Sequence, residues 1–318
     1  MKFSVVIPTY NASAFLAETL QSVSGQTFAV HEIIIVDDGS IDGTSDLVRA
    51  LNPKAKLIQQ SRTGVCGARN AGASAASGDI VAFLDHDDVW QPWAVEVYAS
   101  LFDRYSEAVA VGGGGETFSD GAVPWIEKSK SETVKIFDAK RVCLESSFVT
   151  PSSLAVKKNA FATSGGFQER AIKEGGSEDW DICFRLGKLG ALIKTSRKVV
   201  ALRLHSSNTS KTMQYNNLLR YTCNHVNCTR YWMLKCHELG MEPKDIRAML
   251  ANRYMNRHLD LCDQGFFWSS IPWLIRSIVN RPQKLDSLNY VAPHIRLKRL
   301  MVLPKIFFSR LMVGKRRE

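Results

Sequence analysis

The regular alternation of short apolar runs with helix-like segments over the first hundred residues constrains this fold most. Val5 to Pro8 is a brief apolar run, Ile33-Ile34-Ile35-Val36 is β-branched throughout, and Ile80 to Leu84 is a third buried-type strand. Lys56 to Gln59 reads as a weaker strand, and Val109-Ala110-Val111 as a further one. Between them, Phe15, Leu16, Thr19, Leu20 and Val23 recur at helical spacing. Thr44 to Leu51 and the Ala-rich Val65 to Ser77 also read as helices. Pro92 suits the first turn of a helix carrying Val97, Tyr98, Leu101 and Phe102 on one side. Strands alternating with helices imply parallel βαβ units. Ligands of such sheets bind outside the carboxyl ends of the strands. Tyr10, Asp38 and Asp85 each lie just past a strand end, so they are expected to line one crevice.

The rest of the chain is less regular. Gly112 to Gly115 and the stretch from Glu116 to Ser131 read as loop. A second block runs from Phe148 to about Ser210, with a helix expected after Asp179 that turns Ile182, Cys183, Leu186 and Leu189 inward. From about Thr212 the chain reads as helical, basic and rich in aromatic clusters, which sets expected domains at 1–210 and 211–318. With 318 residues, 45% of them hydrophobic, there is ample material for a large core. Seven cysteines without a paired C-x-x-C spacing argue against a disulfide framework or a zinc site. Pro8 interrupts the N-terminal apolar run, which therefore reads as a strand and not a signal peptide; a cytoplasmic, reduced protein is expected.

Charge separates the two ends. Residues 1–120 hold 7 Lys and Arg against 15 Asp and Glu, while residues 211–318 hold 19 against 7. An acidic first third suits a cation site, and a basic last third suits an anionic partner.

Asp85, Asp87 and Asp88 place three carboxylates within four residues, which repel unless a cation or hydrogen-bond donors offset them. Hard oxygen ligands suit Mg²⁺ or Mn²⁺. The plain alternative is an acidic turn in which Asp87 or Asp88 caps the helix near Pro92. Asp37-Asp38-Gly39-Ser40 is ordinary turn chemistry, or a carboxylate that accepts a base N–H while Tyr10 packs on the ring. Gly64, Gly67, Arg69, Asn70 and Gly72 would let backbone approach a diphosphate, with Arg69 or Arg62 reaching an oxygen. Glu178 and Asp179 suit a helix start, and Asp179 also suits a general base. His205 is a metal-ligand candidate or a satisfied, partly buried histidine.

Taken in order, these segments resemble the family 2 glycosyltransferases. The matching pieces are Ser4 to Asn11, Ile35 to Ser40 with Thr44, Gly64 with Ala68 to Gly72, Gly78 to Asp88, Gly165-Gly166-Phe167, and Glu178 to Asp181 with Arg185-Leu186. The resemblance covers roughly residues 3–210. It implies an α/β fold of the GT-A type, with a mostly parallel central sheet flanked by helices and a helical C-terminal extension. It also implies an inverting transfer of a sugar from a nucleotide-diphosphate donor, of the UDP-sugar kind, to an acceptor hydroxyl.

The roles it implies are specific. Tyr10 and Asp38, with the backbone of Pro8 and Thr9, would hold the base; Arg69 and Asn70 would lie near the diphosphate or ribose. Asp85 would lie near the ribose or donor sugar. Asp87 or Asp88, with His205, would hold Mn²⁺ or Mg²⁺, and Asp179 would be the base. Ser152, Glu178 and Trp180 would stand on the acceptor side. His86 fills a position where the motif more often has Ala or Ser.

The basic, apolar stretch from Ile295 and the aromatic clusters at Phe266 to Trp268 and Ile271 to Ile275 suit either a helix on an anionic membrane surface or a helical subdomain packed on the catalytic domain with its cations solvated. The expected acceptor is a glycan or lipid-linked molecule, with peripheral placement on the cytoplasmic face. No nucleic-acid motif accompanies the charge. Two other readings are a nucleotidyltransferase, which would want a Gly-rich loop with a lysine where Thr9-Tyr10-Asn11 stands, and a catalytically silent binding or scaffold protein.

Overall fold

Four parallel strands build the strand-end crevice. β1 (Phe3–Thr9) pairs with β2 (Glu32–Asp37) on one side and β4 (Ile80–Phe83) on the other, and β2 pairs with β3 (Lys56–Gln59). The computed structural model describes residues 1–119, 123–124, 132–145, 148–173, 177–205, 231–251 and 254. Contacts divide the chain into two units, Met1–Met249 and Leu250–Glu318, and the sheet belongs to the first. The expected boundary at 210/211, the membrane-type segments at Phe266 to Ile275 and from Ile295, and the run Ser206 to Ser210 lie outside the described residues. Among the described residues, no helix is long and apolar enough to cross a membrane.

Every residue of β1 is buried, because helices cover both its faces; this is why it reads as a continuous apolar run and not an alternating one. Phe3, Val5 and Ile7 join Leu16, Leu20 and Val23 of α1 (Leu16–Ser24) in one core, together with Val97, Tyr98 and Leu101 of α4 (Ala94–Arg104). On the other face, α3 (Val65–Ala75) lies so close that a Cβ on Gly72 would sit 2.3 Å from Cγ1 of Val6 and 3.2 Å from Cγ2 of Val36. Gly72→Val is therefore expected to overpack the sheet, costing about 1–3 kcal/mol. It should lower the urea midpoint without changing the slope; an unchanged midpoint would contradict this packing.

The sheet continues as β4-β8-β6-β9-β5, with β8 (Leu154–Lys157) antiparallel to both β4 and β6 (Ala108–Phe118). β6 runs parallel to β9 (Ala191–Arg203), which also pairs antiparallel with β5 (Val89–Trp90) and β7 (Val134–Phe137). The loop expected at Gly112 to Gly115 is instead the middle of β6, and Glu116 to Phe118 continue the strand. The glycines serve close approach: a Cβ on Gly112 would meet Val149 at 2.4 Å, and one on Gly113 would meet Val199 at 2.6 Å. Register shifts between Gly112 and Gly115 mark bulges, a regular use of strand glycine.

The remaining helices are α2 (Thr44–Leu51), α5 (Ala139–Leu144), α6 (Lys158–Thr163), α7 (Glu169–Lys173) and α8 (Glu178–Gly187). Ile182, Cys183 and Leu186 of α8 are buried as expected, but Leu189 is exposed. The helix ends at Gly187, so helical spacing no longer governs Leu189. Residues 231–238 are helical and pack on α8: Trp232 is fully buried, with its ring centroid 5.7 Å from Trp180. Asp181 accepts from the Tyr231 hydroxyl and from Arg185 Nε at 2.8 Å.

Candidate active site at the strand ends

Tyr10 follows the last residue of β1, and Asp38 the last residue of β2. The Asp38 amide donates to Thr9 O at 2.9 Å, so the two turns leave the sheet together. Arg62 lies over the Tyr10 ring, its Cζ 4.0 Å from the centroid, and its Nη1 donates to the Tyr10 hydroxyl at 3.0 Å. Asp38 is buried and heavily used. Its Oδ1 accepts from Gln60 Nε2 and Thr63 N, both at 2.8 Å, and from Thr63 Oγ1 at 3.1 Å; Oδ2 accepts from Gly64 N at 2.8 Å. Burial pushes its pKa up, but the bonds from Gln60, Thr63 and Gly64 prevail and hold the carboxyl below the usual range. Neighbouring Asp37 serves the turn, accepting from Ser40 N at 2.9 Å and from the Ser45 hydroxyl. Thr9 is buried, its hydroxyl donating to Val36 O at 3.2 Å.

The acidic loop begins where Leu84 N donates to Val6 O at 3.1 Å and β4 leaves the sheet. Each of its three carboxylates has different partners. Asp85 accepts both hydrogen bonds of Arg69 Nη2, at 2.7 and 3.0 Å. Asp88 is buried, with Oδ2 accepting from Ser152 Oγ at 2.5 Å and Oδ1 from Arg203 N at 3.0 Å. Burial, and then the charges of Asp87 and Asp85, push the Asp88 pKa well above the usual range. Asp87 is the carboxylate that meets His205: Nε2 of the histidine donates to Oδ2 at 2.9 Å across 118 positions of sequence.

Neither Asp87 nor Asp88 caps the following helix, whose N-cap is Trp93 with no side-chain cap bond. His86 donates from Nδ1 to Pro8 O at 3.3 Å, and its carbonyl accepts from Thr19 Oγ1 at 2.8 Å, so it ties this loop to β1 and α1.

Asp87 and His205 are the residues here that fit a divalent cation. Asp87 supplies a hard oxygen and His205 an imidazole nitrogen, once the shared proton leaves. Among the described residues no group of three or more His, Cys, Asp and Glu is arranged as an all-protein cage. Mg²⁺ is usually held by one or two carboxylates and completed by water and substrate phosphates, so a site with few protein donors is compatible with it.

On the opposite wall, Arg69 of α3 is 3% exposed. Besides Asp85 it donates from Nη1 to Glu178 Oε1 at 3.2 Å, and its Cζ stands 5.0 Å from the centroid of Phe167. Asn70 spends its amide on the same residue, donating from Nδ2 to Phe167 O and accepting Phe167 N at Oδ1, both at 2.8 Å. The structure thus gives Arg69 and Asn70 internal partners in place of a free approach to a diphosphate. Ser152, expected on the acceptor side, is 1% exposed. Its hydroxyl oxygen accepts from Asp85 N at 3.1 Å while its proton goes to Asp88, so it braces the acidic loop from inside.

Glu178 and Trp180, also expected on that side, are engaged with Arg69 and with the Trp232 ring. Between them, partly buried Asp179 accepts from Ser177 Oγ and from Trp180 N (2.8 Å) at Oδ1 alone; Oδ2 has no donor among the described residues. Burial first, and then the Glu178 charge, raise its pKa to about 6 against the lowering pull of Ser177, Trp180 N and Arg69.

Sequence reasoning missed three supports. Arg203, besides its amide bond to Asp88, donates from Nε to Asp87 O at 3.0 Å and sits near the rings of Phe15 (5.0 Å) and Phe118 (4.6 Å). Phe15 also stacks on His205, centroids 4.7 Å apart, and Phe167 floors Arg69. Phe15 is marked by its helical spacing and Phe167 by the Gly165-Gly166-Phe167 match, whereas the local signal for Arg203 is its place two positions before His205. A separate concavity of about 600 Å³, lined by Ile136, Asp138, Lys140, Arg141, Lys188 and Leu189 among others, contains none of these groups, and its carboxylate Asp138 caps α5 by accepting from Arg141 N at 2.7 Å.

Comparison with known proteins identifies the family and the fold. The family described as "Glycosyl transferase family 2" matches residues 4–164, just over half the chain. An uncharacterized glycosyltransferase of Nostoc sp. is 44% identical over 115 residues, covering 35% of each chain. The amylovoran biosynthesis glycosyltransferase AmsB of Erwinia amylovora is 32% identical over 208 residues, covering 60% of this chain and 65% of its own. These matches therefore span less than two thirds of either relative. The crystal structure of S. aureus TarS 1-349 in complex with UDP-GlcNAc superposes with a TM-score of 0.63 at 18% identity, over 91% of this chain and 84% of that one. This likeness is one of fold, the GT-A arrangement of a mostly parallel sheet flanked by helices. The chain is a member of glycosyl transferase family 2.

Proposed function

We propose that the strand-end crevice binds a nucleotide-diphosphate sugar, of the UDP-sugar kind, and transfers its sugar to an acceptor hydroxyl with inversion. The observation that carries this is the meeting of Asp87 and His205 at 2.9 Å beside a turn that presents Tyr10. It joins a two-donor cation site to an aromatic platform at the carboxyl edge of a parallel sheet.

The base would rest on the Tyr10 ring after Arg62 moves aside, next to Pro8 and Thr9. Asp38 keeps its turn rigid, and its remaining Oδ2 lone pair faces no other described donor. Asp85, aimed by Arg69, would take a ribose or sugar hydroxyl. Asp87 and His205 would hold Mn²⁺ or Mg²⁺; the bound cation supplies charge neutralisation for the leaving diphosphate. Asp179 would accept the acceptor hydroxyl's proton on Oδ2, its one oxygen without a described donor. Burial first, and then the Glu178 charge, keep it basic enough for that task close to neutral pH.

The sign of the pH dependence follows. The base works only when ionised, so kcat/KM should rise with pH through about 6 and level off above it. A profile flat from pH 5 to 8 would contradict the base assignment.

AmsB is named for amylovoran biosynthesis and the TarS complex contains UDP-GlcNAc, which supports a UDP-sugar donor and a glycan or lipid-linked acceptor in surface polysaccharide synthesis. That setting would place the protein on the cytoplasmic face of a membrane. The test is a thermal-shift panel of nucleoside diphosphates with and without Mn²⁺. Stabilisation by UDP that requires Mn²⁺ is expected; no stabilisation by any nucleotide would overturn the reading.

A further inference from the structure

Arg69 cannot be read as a surface cation. It is 3% exposed, both terminal nitrogens of its guanidinium are held by carboxylates, and its Nε has no acceptor among the described residues. Reaching out to a phosphate would strand two partly buried carboxylates, Asp85 and Glu178, each 28% or less exposed. Leaving such charges uncompensated is strongly destabilising. Its chemistry is therefore directed inward. The next residue, Asn70, holds the backbone of Phe167, whose ring supports the guanidinium. Together they form a rigid bracket between α3 and the chain leading to α8.

That bracket joins two places with different tasks. Asp85 begins the acidic loop after β4; Glu178 begins α8 and is bonded in sequence to Asp179. One cation is shared by both. We infer that Arg69 and Glu178 are positioning residues that couple the donor side of the crevice to the proton acceptor: the ion pair fixes the start of α8, and its balance of charge sets how readily Asp179 holds a proton. This inference rests on the proposed role of Asp179. It goes beyond it by assigning Arg69 away from the diphosphate and by giving Glu178 a task other than acceptor contact.

The charged or titratable described groups on α8 and the elements packed on it include the Asp181–Arg185 ion pair, whose charges offset each other, and Glu169 of α7, which shares the surroundings of Cys66 with Glu178, Arg69 and Arg185. From α8 itself come the Glu178 carboxylate and the Cys183 thiol, the latter pushed up by burial and then by Asp179. From α3 comes Arg69, whose charge favours the ionised Asp179. Cys66, also on α3, is a buried thiol pushed up to about 12 and so stays neutral at working pH. Removing the Glu178 charge should make Asp179 easier to ionise; removing the Arg69 charge should make it harder. A residue that merely shaped the fold would not move the same group in opposite directions.

The test is a carboxyl titration of full-length protein labelled with ¹³C at the aspartate side-chain carbon, with the Asp179 signal identified by its loss in Asp179→Asn. Glu178→Gln keeps an acceptor for Arg69 and should lower the Asp179 midpoint by roughly half a unit or more, about a threefold change in proton affinity. Arg69→Gln should raise it. Should Arg69→Gln fail to fold by circular dichroism, Glu178→Gln alone decides. An unchanged midpoint in Glu178→Gln overturns the coupling.

This readout does not depend on turnover. If Asp179 titrates as expected but no nucleotide sugar is used, the functional reading fails and the electrostatic coupling stands. If the protein transfers sugar and the midpoint does not move, the reverse holds. With an active donor in hand, the acid limb of kcat/KM should shift to lower pH in Glu178→Gln, in step with the titration.

Discussion

Asp179→Asn is expected to lower sugar transfer by about 10²–10⁴-fold, the range over which a positioned acid–base group acts. The substitution is nearly isosteric. The oxygen of the introduced amide could still accept from the Ser177 hydroxyl and Trp180 N, which hold the native carboxylate in place. What is lost is the basic Oδ2. Binding of UDP with Mn²⁺ should therefore stay close to wild type, because Asp179 stands with Glu178 and Trp180 and not among the groups proposed to hold the nucleotide. Residual activity should also lose its acid limb near pH 6, since no ionisation at this position remains to produce it. Steady-state transfer rates and calorimetric UDP binding check the two halves. A near-wild-type rate would remove Asp179 from the mechanism.

Asp87→Ala is expected to have the other large effect, on binding. Asp87 and His205 are the two described donors proposed for the cation, so removing either leaves one of them. UDP affinity in Mn²⁺ should fall by on the order of tenfold or more, about 1.4 kcal/mol, toward the value measured with a chelator. His205→Ala should do the same. The double variant should be little worse than either single one, because both act on one ion. Asp88 differs: its oxygens already serve Ser152 and Arg203 N, so Asp88→Asn should perturb the stability of the loop more than the metal dependence. Calorimetry with and without Mn²⁺ separates these cases, and full metal dependence in Asp87→Ala would exclude it as a ligand.

The strands that carry the site were legible because each is buried on both faces. That burial forces uninterrupted apolar runs, which end abruptly where the chain reaches the crevice, at Tyr10, Asp38 and Asp85. β6 was not legible. Its glycines are poor strand formers by propensity, and only the nearness of Val149 and Val199 explains them. Leu189 was misplaced because periodicity does not show that α8 stops at Gly187.

Within the site, residue types were legible and partners were not. Three carboxylates in four residues predict a charge problem, but not how it is solved. Arg69 neutralises Asp85, Ser152 and Arg203 N satisfy Asp88, and His205 meets Asp87. Each partner comes from a separate part of the chain, and no local spacing encodes such a meeting. In sequence Ser152 reads as an acceptor-side residue and Asn70 as one near the diphosphate or ribose; only tertiary structure reveals their internal hydrogen bonds.

Activation of a nucleotide-diphosphate sugar through a cation bound in this crevice underlies the proposed function. Its most direct test is to incubate the protein with a panel of nucleotide sugars in Mn²⁺ and follow release of the nucleoside diphosphate. The account predicts slow release of UDP from at least one UDP-sugar, abolished by chelation and by Asp87→Ala. Absence of release from every donor, or release that persists undiminished after chelation, would contradict it.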